Sequence, residues 1–530
     1  MNIVVLHCHF ERGGVTQVVE NHLRFLCACD AVNQVLLISG NRIGGLSNQT
    51  RQSVMHVGID AMDYDSLEKP SATLDPRASS LATQIGDALA SHQCTPENTV
   101  LHWHNHSLGK NVAAPAAIAR LAHRGWRFLL HVHDFAEDNR PQNYSHIVRS
   151  SAADSAADVD RFLYPTADQI HYASLTKTDL SVFAKLGVPE QQMHCLPNSV
   201  TMPERELPDR ETALKKVRNS LNLPEDARWC LYPVRGIRRK NVGEFLLLSR
   251  WLPTNTFAGI TLRPTTPVEA RSYQRWKTIA ACVAPGALFD VGHQDNLSFA
   301  ENVAASDYVL SPSVAEGFGM VFLEPWLMNR CVVARNLPTV TADFRDAGIE
   351  FPVLYDSIPI PGDNEWIESC HKEFDAARTA AWSSLAPSFR PGSVDSASNT
   401  ASVPAHSASG QRNNDTIDFA RLTPLRQTEV LQRLSDDPGF ERAAREHSAA
   451  LVDCLQTPAD SDLVAQNSQR VRQIYSPDYQ GQVLLSAYQS VLDSPESKVG
   501  DLSENHPSAM DCVSSTRPFY PCRTEEFNDA

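Results

Sequence analysis

Twice along the chain, short apolar runs of β type alternate with longer stretches of helical apolar spacing, and this alternation leaves few folds open. Parallel strands need long crossovers and helices supply them, so the pattern specifies parallel sheets covered by helices. The first series places strands at Ile3–His7, Val35–Ser39, Val100–Trp103, Phe128–Val132 and Gln169–Ala173, with an amphipathic helix from Val15 to about Cys27. After a charged, proline-containing stretch the alternation restarts at Trp229–Val234. It continues through a helix at Val242–Trp251 and strands at Gly259–Leu262, Leu288–Val291, Tyr308–Leu310 and Cys331–Ala334. The expected fold class is α/β, with two Rossmann-like, doubly wound domains, 1–225 and 226–474, facing a central cleft. Ligands of such sheets bind at the carboxyl ends of the strands.

Three segments stand outside the alternation. Residues 383–415 are rich in Ser, Ala, Asn, Pro and Gly and bury too little apolar surface to offset their ordering entropy, so they are expected to form a disordered insertion. Residues 475–493 have the apolar spacing of one more helix. The tail, 494–530, is polar and expected to be disordered, with local docking open to Phe519, Tyr520 and Cys522.

Charge and hydropathy exclude several classes of function. With 47 basic against 62 acidic residues, the formal charge of −15 over 530 residues argues against nucleic-acid binding, which needs a basic footprint. No run reaches the roughly 18–20 apolar residues of a membrane-spanning helix. The opening MNIVVLHCHFERGG lacks a basic region ahead of its apolar run and reads as a first strand, not a signal peptide. The 12 cysteines are scattered, without CxxC spacing, and read as reduced structural thiols. A cytoplasmic protein is expected, with peripheral membrane contact left open.

The chemistry concentrates in two segments of the second domain. In VRGIRRKN, Arg235 follows a strand, and Arg235, Arg238, Arg239 and Lys240 place four cations in six residues. Guanidinium forks match phosphate geometry and an ammonium adds a point charge, so this loop is suited to a diphosphate and to the charge it gains as a leaving group. In SPSVAEGFGMVFLE, a strand closes at Ser311, Gly317-Phe318-Gly319 supplies a loop whose backbone N–H groups can approach an anion, and a helix begins near Glu324. Glu316 and Glu324 can each accept hydrogen bonds from vicinal hydroxyls, so together they can read the sugar and the nucleoside of one ligand.

These motifs, in this order, resemble the retaining glycosyltransferases of family 4, which have the GT-B fold. The resemblance covers residues 1 to about 380 and again 475–492. It implies that Arg235 and Lys240 bind the donor diphosphate, that Glu316 contacts the transferred sugar and Glu324 the ribose, and that Gly317, Phe318 and Gly319 line the donor. Gly13 and Gly14, between the first strand and helix, match the family's glycine loop beside the diphosphate. His133, in HVHDF, falls where the family has a histidine close to the reacting sugar. LPNSV, residues 196–200, resembles the segment at the domain junction, and residues 475–492 resemble the helix that returns to the first domain. Asn241, Pro325 and Asn329 depart from the usual Gly, Ala and Gly.

His102, His104 and His106 alternate along one strand and share a face, which is compatible with a metal, yet no carboxylate or Cys is in register. The resemblance implies neutralisation of the diphosphate by side chains, with no metal and no cofactor. His104, Asn105 and Asp134 are acceptor-side candidates; His133, Glu316, Arg235 and Lys240 are the catalytic candidates. The expected reaction moves a sugar from a nucleotide-diphosphate donor to a hydroxyl of a carbohydrate, lipid-linked or small-molecule acceptor, with retention of configuration. The alternatives are a GT-B nucleotide-sugar epimerase, a sugar phosphorylase or a non-catalytic nucleotide-sugar-binding protein.

Overall fold

The structure, a computed structural model, describes residues 1–65, 73–201, 208–292, 297–392, 415–456, 460–500, 502 and 506–524. The chain forms two compact units. The first comprises Met1–Ser199, Trp382–Ala401 and Ile474–Pro518, and the second Val200–Ala381, Ser402–Gln473 and Phe519–Ala530.

The first unit is built on seven strands: β1 Asn2–Leu6, β2 Gln34–Ser39, β3 Met55–Gly58, β4 Thr99–His104, β5 Arg127–Val132, β6 Ile170–Ser174 and β7 Met193–Cys195. Every pairing is parallel, in the order β3-β2-β1-β4-β5-β6-β7. Strands β1, β4 and β6 are buried at every position, as strands covered on both faces must be. The sequence order reverses between β1 and β4, so the loops leaving their carboxyl ends border the crevice where open α/β sheets bind ligands.

The helix Pro477–Asp493 completes this unit. Leu484, Ala487, Tyr488 and Val491 pack with Ile3, Val19, Leu23 and Leu129 in one apolar cluster. Gly481 sits so close to Phe25 that a Cβ would fall 2.2 Å from its ring, which requires the absence of a side chain at that crossing.

The second unit carries β8 Arg228–Arg235, β9 Thr256–Leu262, β10 Ala287–Leu288, β11 Tyr308–Ser311, β12 Cys331–Arg335 and β13 Leu354–Tyr355. These are also parallel, in the order β10-β9-β8-β11-β12-β13, and the order reverses between β8 and β11. A small antiparallel pair, Pro359–Pro361 with Thr416–Asp418, lies beside this sheet in sequence. Among the described residues no helix is long and apolar enough to cross a membrane.

Three expectations about boundaries need correction. The units divide at Ser199, inside LPNSV, and not near 225. The reason is the helix Arg210–Leu221, whose Ala213 and Val217 pack with Trp229, Leu231 and Val303 of the second unit. Of the insertion expected at 383–415, residues 383–392 and 415 are ordered, with a short 3-10 turn at Pro387–Phe389, while 393–414 lie outside the described residues.

The tail also differs from expectation. Ala509–Thr516 is a helix capped by Ser508, with Ala509, Met510, Cys512 and Val513 buried, and Arg517 is locked between Asp138 and Asp179. Four apolar residues in a polar stretch suffice once a neighbouring surface receives them. Beyond it Cys522 packs with Val314 and Ala420, and Tyr520 lies against them. Residues 525–530 lie outside the described residues.

Candidate active site

In the second unit the two chemistry-bearing segments leave adjacent strands at the topological switch. β8 ends at Arg235 and continues into a 3-10 turn, Arg238–Lys240, while β11 ends at Ser311 and continues into the glycine loop. Backbone and side-chain bonds tie the loops together. Val314 N–H donates to the Arg239 carbonyl at 3.0 Å, and the Tyr232 hydroxyl bridges the Lys240 carbonyl and Ser313 Oγ, each at 2.8 Å.

At the centre, the Lys240 ammonium donates directly to a Glu316 carboxylate oxygen, and both residues are buried. Arg239 stands 3.9 Å from the other oxygen. Burial alone would raise the Glu316 carboxyl, but the Lys240 and Arg239 charges reverse that and hold it below the usual carboxylate range. Burial pulls the Lys240 ammonium below an ordinary lysine even with Glu316 beside it. Among the described residues Lys240 Nζ uses one of its three donors, on Glu316, which leaves two for an incoming anion. Arg235 is half-buried and, among the described residues, donates to the Arg263 carbonyl alone, at 3.1 Å.

Gly319 has φ of +85°, and a Cβ there would meet Phe322 and Val340 at 2.8 Å, so this glycine is required by backbone conformation and by space. Gly317 precedes it, and Phe318 is buried edge-on to Phe344, with ring centroids 5.3 Å apart. Glu324 opens the short helix Glu324–Leu327, where Pro325 lies in the first turn and costs no interior hydrogen bond. No residue donates to the Glu324 carboxyl among the described residues, and burial pushes it up to about 7.

The two asparagine departures have a backbone reason. Asn241 (φ 50°) and Asn329 (φ 54°) both adopt the left-handed conformation that glycine takes most easily and asparagine tolerates best among side-chain residues. Asn241 also joins a buried polar network whose members lie far apart in sequence. Its amide donates to Glu244 at 2.8 Å; Arg335, fully buried, donates to Glu244 at 2.7 Å and to Asp418 at 2.9 Å. This network anchors the end of the basic loop to β12, and Arg238 adds an anchor by donating to the Glu269 carboxylate at 3.2 Å.

In the first unit, Gly13 caps the helix Gly14–Leu26 in an extended conformation, and both glycines are exposed. Among the described residues nothing lies within 4 Å of a Cβ built on Gly14. Their lack of side chains therefore serves no internal packing need.

His133 follows β5, and Asn105, in the left-handed conformation after β4, holds its backbone N–H at 2.7 Å and that of Asp134 at 3.2 Å. Asp134 accepts from Arg140 at 2.7 Å. His104 Nδ1 and His133 Nε2 are 2.8 Å apart, so one ring donates and the other accepts, and both are neutral. Burial drives His133 down to about 3, with Asp134 opposing, and drives His104 well below the ordinary histidine value.

His104 and His102 lie in a larger buried cluster with His22 and His131. His102 contacts the Tyr488 hydroxyl at 2.8 Å and His131 Nδ1 at 3.2 Å. His106 turns away to the Leu163 carbonyl at 3.0 Å, so the three alternating histidines do not converge on one point. Two other triads, His22-His102-His104 and His104-His131-His133, bring ring nitrogens within 4.8 Å of one another. These could hold a borderline metal, but neither triad includes a carboxylate or thiolate. A divalent ion there would bury its charge uncompensated, and several of the ring nitrogens are already hydrogen-bonded to each other.

No family model matches the chain. Mannosylglucosyl-3-phosphoglycerate synthase of Petrotoga mobilis is 26% identical over 356 residues, which is 65% of this chain and 66% of that protein, so the chain matches just under two thirds of this relative's length. Among solved structures, Anabaena HepE in complex with UDP superimposes with a TM-score of 0.51 at 11% identity, over 92% of this chain and 100% of HepE. A glycosyltransferase from Rickettsia africae gives a TM-score of 0.50 at 12% identity, over 93% of this chain and 99% of that one. With two parallel α/β units, each reversing strand order beside its candidate residues, the chain has the GT-B fold of these solved structures.

Proposed function

We propose that this protein is a hexosyltransferase that takes a sugar from a nucleotide-diphosphate donor and passes it to an acceptor hydroxyl with retention of anomeric configuration, as in glycosyltransferase family 4. The observation that carries this reading is the buried Lys240–Glu316 pair, with Arg239 beside it, at the switch point of the second unit's sheet. A buried cation with donors to spare suits a phosphate, and a carboxylate held ionised suits sugar hydroxyls. The Petrotoga mobilis relative is named for synthesis of a mannosylglucosyl compound, and Anabaena HepE was solved with UDP and with UDP-glucose, which favours a nucleotide-sugar donor.

In this reading Arg235 and Lys240 bind the diphosphate, the Gly317-Phe318-Gly319 loop lies along the donor, Glu316 accepts hydrogen bonds from the transferred sugar, and Glu324 accepts from the ribose. The acceptor oxygen bonds to the anomeric carbon on the face from which the diphosphate departs. The bond from that carbon to the diphosphate oxygen breaks, and a phosphate oxygen takes the hydroxyl proton. Arg235, Arg239 and Lys240 stabilise the charge on the leaving group, so the chemistry asks for no metal. In the first unit, Gly13 and Gly14 let backbone approach a ligand, and neutral His133 offers a hydrogen bond to a sugar hydroxyl, with Asp134 beside it.

Thermal unfolding with UDP, GDP and ADP tests the donor half. A ligand at 100 times its Kd stabilises by about 2.7 kcal/mol. One of the three is expected to raise Tm in the natural protein and to lose that effect in Lys240→Ala; no shift with any of them would refute a nucleotide-sugar donor. Proton NMR of the product's anomeric signal decides between retention and inversion.

A further inference from the structure

In the first unit, loops that leave the carboxyl ends of successive strands converge on one ring, that of Tyr64 after β3. His9, after β1, meets it edge-on with centroids 4.8 Å apart. The Arg42 guanidinium, after β2, lies 5.3 Å from its centroid, and the Lys110 ammonium, after β4, lies 5.5 Å from it. Arg140, after β5, is close enough for its charge to depress Lys110 further, after burial, which is the larger cause.

Stability does not account for this gathering of like charges. Tyr64 is 42% exposed, and a cation over an exposed ring contributes only about 0.5–1 kcal/mol. Arg42 has Asp63 as its counter-ion and Arg140 has Asp134, but Lys110 meets no carboxylate among the described residues although it is half-buried. Arg140 Nε is buried and has no acceptor there either. In a chain of net charge −15, unclaimed cationic donors at the ligand-binding edge of a parallel sheet mark a place where a negative group belongs.

We propose that Lys110 and Arg140, with Arg42 beside them, form an anion site on the acceptor side, and that the acceptor carries a carboxylate or phosphate in addition to the hydroxyl that receives the sugar. The proposal rests on the transferase reading above and names its second substrate by class. Tyr64 is the platform that orients Lys110, and Asp134 positions Arg140.

The test titrates the full chain with glycerate, glycerol 3-phosphate and uncharged glycerol, in the natural protein and in Lys110→Gln, Lys110→Arg and Lys240→Gln, by calorimetry. At least one charged probe is expected to bind where glycerol does not. Its affinity is expected to fall 10-fold or more in Lys110→Gln, to recover to within a few-fold in Lys110→Arg, and to be unchanged in Lys240→Gln. The probe that binds identifies the group as carboxylate or phosphate. Absence of binding by both charged probes, undiminished binding in Lys110→Gln, or a loss that follows Lys240 would overturn the proposal. A cooperative thermal unfolding transition checks the fold of each variant, and stabilisation by UDP, GDP or ADP, measured on the natural protein and the two Lys110 variants, keeps the two readings apart. Nucleotide stabilisation without anion binding defeats the acceptor site alone, whereas no nucleotide stabilisation defeats the donor reading.

Discussion

Lys240 and Glu316, 76 positions apart in sequence, form a buried ion pair between loops leaving the two strands that flank the switch point of the second unit. Removing one partner leaves the other charge buried and unmatched, which costs about 3–5 kcal/mol. Lys240→Ala is therefore expected to lower the denaturation midpoint markedly, and Lys240→Met with Glu316→Gln to recover most of the loss. Equal stability of the single and double variants would show that the pair is not coupled. Urea unfolding of the three proteins decides it.

The histidine cluster makes the first unit acid-sensitive. Burial lowers His22 to about 4 and His133 to about 3, and His7, whose Nδ1 lies 3.1 Å from the His104 carbonyl, to about 4, so the folded state binds these protons far less readily than an unfolded chain with histidines near 6.5. Their stability contribution is complete above pH 6.5 and is lost as pH falls from there toward 4, at roughly 1.4 kcal/mol per pH unit for each proton taken up. Tm measured from pH 7.5 to 5 is expected to drop steeply; a flat profile would mean the rings are solvated. Treatment with EDTA is expected to leave both Tm and transfer rate unchanged, because several ring nitrogens of the triads are engaged with each other and, in the proposed reading, the basic loop meets the diphosphate.

Glu324 carries the opposite sign. Its folded carboxyl is raised to about 7 against an unfolded value near 4.5, so it weakens the fold progressively as pH rises from 4.5 to 7. Ribose hydroxyls donate best to the ionised form, so nucleotide affinity is expected to rise from pH 6 to pH 8 and to level off above. Calorimetric titration of Glu324→Gln is expected to show that rise abolished; an unchanged rise would place its origin elsewhere.

The glycines separate by role. Gly319→Ala forces a side chain into a left-handed conformation against Phe322 and Val340 and is expected to cost about 1–3 kcal/mol along with donor affinity. Gly14→Ala meets nothing and is expected to leave the unfolding midpoint within about 1 kcal/mol, while lowering transfer 10-fold or more. Undiminished transfer in Gly14→Ala would remove the loop from the ligand site.

Much of this was legible in the sequence because strand and helix periodicities are local. The helix Val242–Trp251 and the strand starts at 308 and 331 lie where apolar spacing puts them. β3 escaped because its four residues are only partly buried and carry no apolar run, and β13 because it is two residues long. Contacts between distant residues carry no local signal. The Arg335 network joins residues 83 and 91 positions away, and Tyr520 and Cys522 pack beside Val314, ahead of the glycine loop, although they stand in a tail whose composition resembles disorder. Asn241 and Asn329 read as departures from a motif until their backbone angles show them in glycine-like conformations.

Sugar transfer itself is the most direct test of the account. Radiolabelled UDP-glucose and GDP-mannose, each offered with a mixture of neutral and anionic acceptors, are expected to yield labelled product and nucleoside diphosphate from at least one donor. Glu316→Ala is expected to reduce the rate by about 10²–10³-fold, the effect of removing one oriented polar group from a charged transition state. Transfer at an undiminished rate in Glu316→Ala, or no transfer by the natural protein from either donor, would contradict the assignment.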